Sequence, residues 1–149
     1  MRIAEQELRT YFVTFSSAGR RRIFQVETNA ALMMAMIESY RNQGRYLLHA
    51  FVVMPDHVHV LITPAPDVSL EKAIQFMKGG FSFRLKSRFP IWERGHFDKR
   101  TPDKAAYEAC VTYIHRNPVE ARMVSNEMEY MFSSAACSLN TDPMPTWFR

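Results

Sequence analysis

Two apolar stretches, Tyr46 to Met54 and His57 to Thr63, are separated by Pro55-Asp56 alone. Both have the composition of strands, and a two-residue break of this kind joins neighbours in a tight antiparallel hairpin. Everything else in the chain has to be arranged around that hairpin.

On its N-terminal side, Leu8 to Ser16 is aromatic and β-branched and reads as a strand, followed by the basic turn Ala18 to Arg22. Glu27 to Asn42 carries Leu32, Met36, Ile37 and Tyr40 at helical spacing, with Asn42-Gln43-Gly44 as its stop. Beyond the hairpin, Ser69 to Arg88 reads as a helix with Ser69 as N-cap; Leu70, Ala73, Ile74, Met77, Phe81 and Leu85 line its apolar side. Gly79-Gly80 within it marks either a bend or a close approach of backbone. Ile91 to Arg100 reads as a short strand with a loop. Thr101-Pro102-Asp103 opens a last helix, with the Thr101 hydroxyl as cap and Pro102 at the first helical position. That helix should run to about Arg116, where Asn117-Pro118 disturbs it.

The order is β-α-β-β-α-β with a further helix. It predicts an α+β, ferredoxin-like antiparallel sheet with helices packed on one face and an added C-terminal helix. The 149 residues suit one domain, with a core from about 8 to 135 and a polar tail over 136–149. This fold hosts RNA-binding modules, acylphosphatases and nucleases, so function has to come from particular residues.

No long apolar run suggests a membrane span, and no charged-then-apolar leader opens the chain. Cys110 and Cys137 are too few for a disulfide framework, so a reduced, cytoplasmic setting is the simplest expectation. The formal charge of +4 favours an anionic partner, nucleic acid being the commonest. From Lys78 to Lys104, Lys78, Arg84, Lys86, Arg88, Arg94, Lys99 and Arg100 alternate with Phe81, Phe83, Phe89, Trp92 and Phe97. Cations for phosphates beside rings for bases make a single-strand or hairpin binding surface, although most of these phenylalanines also suit a core. The candidate DNA contacts are Arg20, Arg21, Arg22, Lys78, Arg84, Lys86, Arg94, Lys99, Arg100 and Arg116, with phosphate contact best supported at Arg94, Lys99 and Arg100.

Strand alternation puts His57 and His59 on one face, with Val58 on the other. Two imidazoles on a rigid strand form a ready pair of metal ligands, yet an isolated His-x-His is more often a surface pair. No third histidine or cysteine stands at a zinc-site spacing; His49 and His96 are further candidates. Tyr113 and Asn117, four apart, share a helical face and offer a phenol and an amide, a nucleophile and a ligand for a hard cation. Tyr113 alone is equally a half-buried core ring. His115 should face elsewhere.

Together these residues resemble a known family. Met54-Pro55-Asp56-His57-Val58-His59 resembles the His-hydrophobe-His motif of the HUH single-tyrosine transposases. Trp92-x-x-x-x-Phe97, Tyr113-Ile114-His115-Arg116-Asn117-Pro118-Val119 and Phe132-Ser133-Ser134-Ala135 resemble its REP-associated branch, in order, over roughly Thr10 to Ala135. The resemblance implies a transposase-like enzyme that nicks and rejoins single-stranded DNA bearing a folded hairpin. It implies Tyr113 as nucleophile and His57, His59 and Asn117 as ligands of a divalent metal, Mg²⁺ or Mn²⁺. It further implies either a monomer or a homodimer with exchanged catalytic helices. Where much of the family has Pro-Trp before the two serines, this chain has Met131-Phe132. The competing readings are a non-catalytic nucleic-acid-binding module on the same fold and a phosphodiesterase that uses water. The tail after Ala135 matches no motif and is free to cover the site.

Overall fold

In the computed structural model, which describes residues 7–138 and 140–149, the hairpin forms as its sequence predicts. β2 (Tyr46–Val53) and β3 (His57–Pro64) are antiparallel, and the Met54 N–H closes the turn on the His57 carbonyl at 2.8 Å. β1 (Tyr11–Ser16) pairs with the other side of β3, and β4 (Phe97–Arg100) pairs with β1. The sheet order is β2-β3-β1-β4, entirely antiparallel. β3 is therefore central, which explains why it is apolar on both faces except for its two histidines and Thr63 near its end.

α1 (Glu27–Asn42) and α2 (Leu70–Leu85) cover one face, where Val13, Phe15, Phe51, Val58, Val60 and Ile62 meet Met33, Ile37, Ile74, Met77 and Phe81. α3 (Lys104–Glu120) lies on the opposite face, where Ala50, Val52 and Leu61 meet Tyr107 and Ile114. The ferredoxin-like pair of helices and the added helix thus sandwich the sheet. A bulge at His49 shifts the register between Leu48 and Ala50, so Leu48 and Phe51 reach the same core although three residues apart.

Sequence and structure differ at both ends of α3. The cap is Asp103, whose carboxylate accepts from the Ala106 N–H at 2.8 Å, and Pro102 precedes the helix. Thr101 is instead drawn into the sheet, its N–H donating to the Thr10 carbonyl at 2.8 Å. At the other end the helix runs through Pro118 to Glu120. Pro118 forfeits one bond near the terminus, and with Ile114 and Pro118 both buried, packing outweighs that loss. Arg122, at φ 60°, then closes the end, with the Met123 N–H on the Pro118 carbonyl and the Arg122 N–H on Val119.

In α2, Ser69 caps as expected, accepting from the Lys72 N–H at 3.1 Å. Gly79-Gly80 neither breaks nor ends the helix. Gly80 is the close approach: a Cβ there would fall 2.5 Å from the Tyr40 hydroxyl of α1. The tail also differs from expectation. Phe132 to Ser134 lies along the outer edge of β2, with the Val53 N–H on the Phe132 carbonyl at 2.8 Å and the Ser134 N–H on Phe51 at 2.9 Å. Asp142 continues along that edge at Leu48, and Phe148 packs on Tyr107. The tail seals a strand edge and the start of α3; its described contacts do not include the two motif histidines or Tyr113.

Candidate active site

His57, His59 and Leu61 alternate with the buried Val58 and Val60, so the register of β3 turns both imidazoles toward α3. Their ring centroids are 4.7 Å apart. Each ring is held from behind at Nδ1. The His57 Nδ1–H donates to Asp56 Oδ1 at 2.7 Å, the partner carboxylate leaving Nε2 with its lone pair. His59 Nδ1 shares a 2.7 Å hydrogen bond with the Thr14 hydroxyl on β1, directly opposite in the ladder.

His59 Nε2 is buried and has no hydrogen-bond partner. Such a group ordinarily costs about 1–3 kcal/mol, so it calls for an explanation. Burial, then the nearby His57 and Arg20 charges, push the His59 pKa down to about 3. The ring therefore stays neutral at physiological pH, the state in which imidazole donates a lone pair to a metal. No group of three or more His, Cys, Asp or Glu residues suited to a metal exists among the described residues. A complete ligand set built on the histidines thus has to draw on an amide, a hydroxyl or water.

α3 supplies the amide and the phenol. The Tyr113 ring stands edge-on to His59, centroids 5.5 Å apart, and edge-on to Phe12 at 5.8 Å. Its side chain is 54% exposed, so it borders the site without being sealed in the core. Asn117 follows one turn later, half-buried, and its amide makes no hydrogen bond to a described residue. The helix that persists through Pro118 keeps Asn117 on Tyr113's face. Tyr113 and His59 meet within one chain.

Asp56 is shared between His57 and Arg20, whose Nε lies 3.0 Å from Oδ2. Burial raises the Asp56 carboxyl, but the hydrogen bonds from His57 and Arg20 outweigh it and hold the pKa below the usual value. The Pro55-Asp56 turn is in turn sewn to the basic turn, with the Ser17 N–H on the Asp56 carbonyl and the Phe24 N–H on Pro55, both 3.0 Å.

The remaining candidates separate into engaged and free side chains. Arg21 donates to the Ala18 and Pro90 carbonyls, and Lys78 donates to those of Glu93 and Gly95 beside the Trp92 ring, so both brace loops. Arg116 pairs loosely with Glu120 at 3.5 Å. Arg22, Arg84, Lys86, Arg94, Lys99 and Arg100 are exposed and make no ion pair with a described residue. Arg22 reaches a cavity of about 460 Å³ that also borders His57. His49 and His96 are not part of the site: His49 is bonded to Thr63 at 2.8 Å, and His96 to Asp98 at 2.9 Å. His115 faces away as expected and shares a 2.7 Å bond with Ser134, which gives the serine pair a role in docking α3.

Thr14 and Phe12 are the site residues that sequence reasoning missed. A polar residue inside an apolar strand is a faint signal for Thr14, but only the β1–β3 register places it against His59.

Comparison with known proteins identifies a family. The sequence model of the family described as "Transposase IS200 like" matches residues 6–117, a span that holds both motif histidines, Tyr113 and Asn117. No curated protein matches the chain. Among solved structures, a REP-associated tyrosine transposase bound to a REP hairpin is similar at 22% identity, TM-score 0.77, over 96% of this chain and 87% of its own. A candidate transposase from Deinococcus radiodurans R1 is similar at 19% identity, TM-score 0.55, over 78% of this chain and 95% of its own. Both likenesses are of fold. The family match covers most of the chain, and the protein belongs to the IS200-like transposases.

Proposed function

We propose that this protein is a metal-dependent enzyme that nicks and rejoins single-stranded DNA beside a folded hairpin, through a covalent 5′-phosphotyrosine. The observation that carries the proposal is the unpartnered, buried Nε2 of His59 beside His57, with the exposed Tyr113 ring set against it. That the similar REP-associated transposase is bound to a REP hairpin supports hairpin DNA as the partner.

The donor set fits a divalent cation: two imidazole nitrogens and the Asn117 amide oxygen would hold it. Mg²⁺ or Mn²⁺, when bound there, supplies positive charge that stabilises the oxygens of the reacting phosphate. The Asp56 and Thr14 contacts hold both rings with Nε2 forward, so the chain is organised before substrate arrives. Tyr113 is the nucleophile: its oxygen forms a bond to phosphorus as the bond to the 3′-oxygen breaks. The phenolic proton is lost and the departing oxygen gains one. A neutral phenol is a weak nucleophile, so its proton has to pass to water or a base as the bond to phosphorus forms. One phosphoester replaces another, so a second 3′-hydroxyl can reverse the step without an external energy source. Because Tyr113 meets His59 of its own chain, a monomer has the parts for this reaction.

Labelled hairpin DNA with a single-stranded flank, incubated with Mn²⁺ and run on a denaturing gel, tests the reading. Wild-type protein should give a shifted covalent band, absent with chelator, and Tyr113→Phe should abolish the band yet still retain DNA. Cleavage without any protein-linked end would instead mean water is the nucleophile. Binding without cleavage under any divalent metal would mean a non-catalytic module.

A further inference from the structure

The motif residue Phe97 is left without a role by the reaction above, and it is 57% exposed although apolar. It lies on β4, opposite Thr14, and Lys99 lies opposite Phe12. Alternation therefore puts Phe97 and Lys99 on the face that carries His59, not on the core face. Across from them, α3 presents Ala106, Ala109 and Cys110 on the same stripe as Tyr113. These small side chains leave the space between helix and strand unfilled, and a cavity of about 400 Å³ opens there with Tyr113 in its wall. Phe12 forms its back, in edge contact with both Phe97, at 6.3 Å, and Tyr113, at 5.8 Å.

Flat aromatic walls, two lining cations without a carboxylate partner among the described residues, Lys99 and Arg100, and the candidate nucleophile in the wall describe a particular ligand chemistry. We propose that this cavity seats one unstacked nucleobase of the strand whose phosphate is presented to Tyr113. Phe97 supplies the stacking face, and Lys99 takes an adjoining phosphate. The inference rests on the nicking reaction proposed above and adds what positions the strand within it. Stacking on a ring is tolerant of base identity, whereas the strand and helix walls of this open cleft limit its width, so the seat takes a single base and fixes the register of the neighbouring phosphodiester. An occupant such as a peptide would leave Lys99 and Arg100, both free of carboxylate partners among the described residues, without an anion to neutralise.

The test uses short single-stranded oligodeoxynucleotides of random sequence with one internal 2-aminopurine, titrated against Tyr113→Phe protein, which keeps the ring but cannot form the adduct. Binding should quench the fluorescence. Adding Phe97→Ala should weaken the quenched complex roughly tenfold, and Phe97→Trp should restore it. Ala109→Leu, which fills the cavity from an exposed helical position, should abolish quenching as well, and covers the case in which Phe97→Ala is poorly folded. Gln75→Ala, at an exposed position of α2, should leave quenching intact. Undiminished quenching in Phe97→Ala or Ala109→Leu, or equal loss in Gln75→Ala, would overturn the proposal. Quenching that depends on Phe97 with no Tyr113 adduct on any hairpin would sink the nicking reaction and spare the base seat. Adduct formation with quenching indifferent to Phe97 would do the reverse.

Discussion

Asp56 and Thr14 touch no substrate atom in the proposed reaction, yet they decide which nitrogen each imidazole presents. Removing either contact frees a ring to rotate or change tautomer. Outer partners of this kind are ordinarily worth about 10–100-fold in metal affinity. Asp56→Ala and Thr14→Val should therefore weaken Mn²⁺ binding by about that factor, measured by calorimetry on folded protein. An unchanged affinity in both variants would mean the metal is not held by these rings. At this scale the sequence was half legible. Alternation alone placed His57 beside His59, and helical spacing placed Asn117 behind Tyr113. Thr14 was hidden because its partner is 45 residues away and is chosen by strand register.

At the scale of elements, α2 carries two adjacent glycines with opposite surroundings. Nothing lies within 4 Å of a Cβ added at Gly79, whereas one at Gly80 meets the Tyr40 ring, itself stacked on Phe76 at 5.3 Å. Gly79→Ala should stabilise the protein by up to about 1 kcal/mol through helix propensity. Gly80→Ala should lose that gain and more, because Tyr40 must leave Phe76. Denaturant melts of the two variants check the difference; equal stabilities would show that the helices can slide apart freely. The glycine pair announced itself in sequence, but which glycine mattered depended on how α1 crosses α2. The ends of α3 misled for a related reason. Thr101 has the right chemistry for a cap, but pairing of β4 with β1 draws it into the sheet first. Pro118 reads locally as a stop, and only the buried position of its neighbours shows why the helix passes through it.

For the whole molecule, burial holds the pKa values of His49, His59 and His115 below the usual histidine value. In each case the unfolded chain binds a proton more readily than the folded one once pH drops below about 6.5, so stability falls with falling pH. The window for His59 extends to about pH 3. Each such group contributes at most about 1.4 kcal/mol per pH unit. Calorimetric melts of metal-free protein should show the melting temperature dropping steadily below pH 6.5, and Mn²⁺ should raise it at neutral pH. A flat profile between pH 6.5 and 5 would contradict the buried, neutral state of these rings. The element order and the sheet were legible because local periodicity and short connections nearly determine them. The path of the tail was not, since Asp142 and Phe148 find their partners across the fold.

That path leaves the sheet asymmetric. One margin, β2, is lined by the chain's own Phe132 to Ser134 and Asp142, and the other, β4, has no strand beside it among the described residues. An open strand edge invites a neighbouring molecule to add a strand and so begin an aggregate, and short length with projecting lysine or arginine is a common deterrent. β4 has four residues, and two of them are Lys99 and Arg100. The charges that repel a second protein chain there are the same ones that attract a polyanion. Under the proposed function, solubility and substrate capture draw on one pair of side chains, and neutralising that pair to weaken DNA binding would also expose the molecule to self-association.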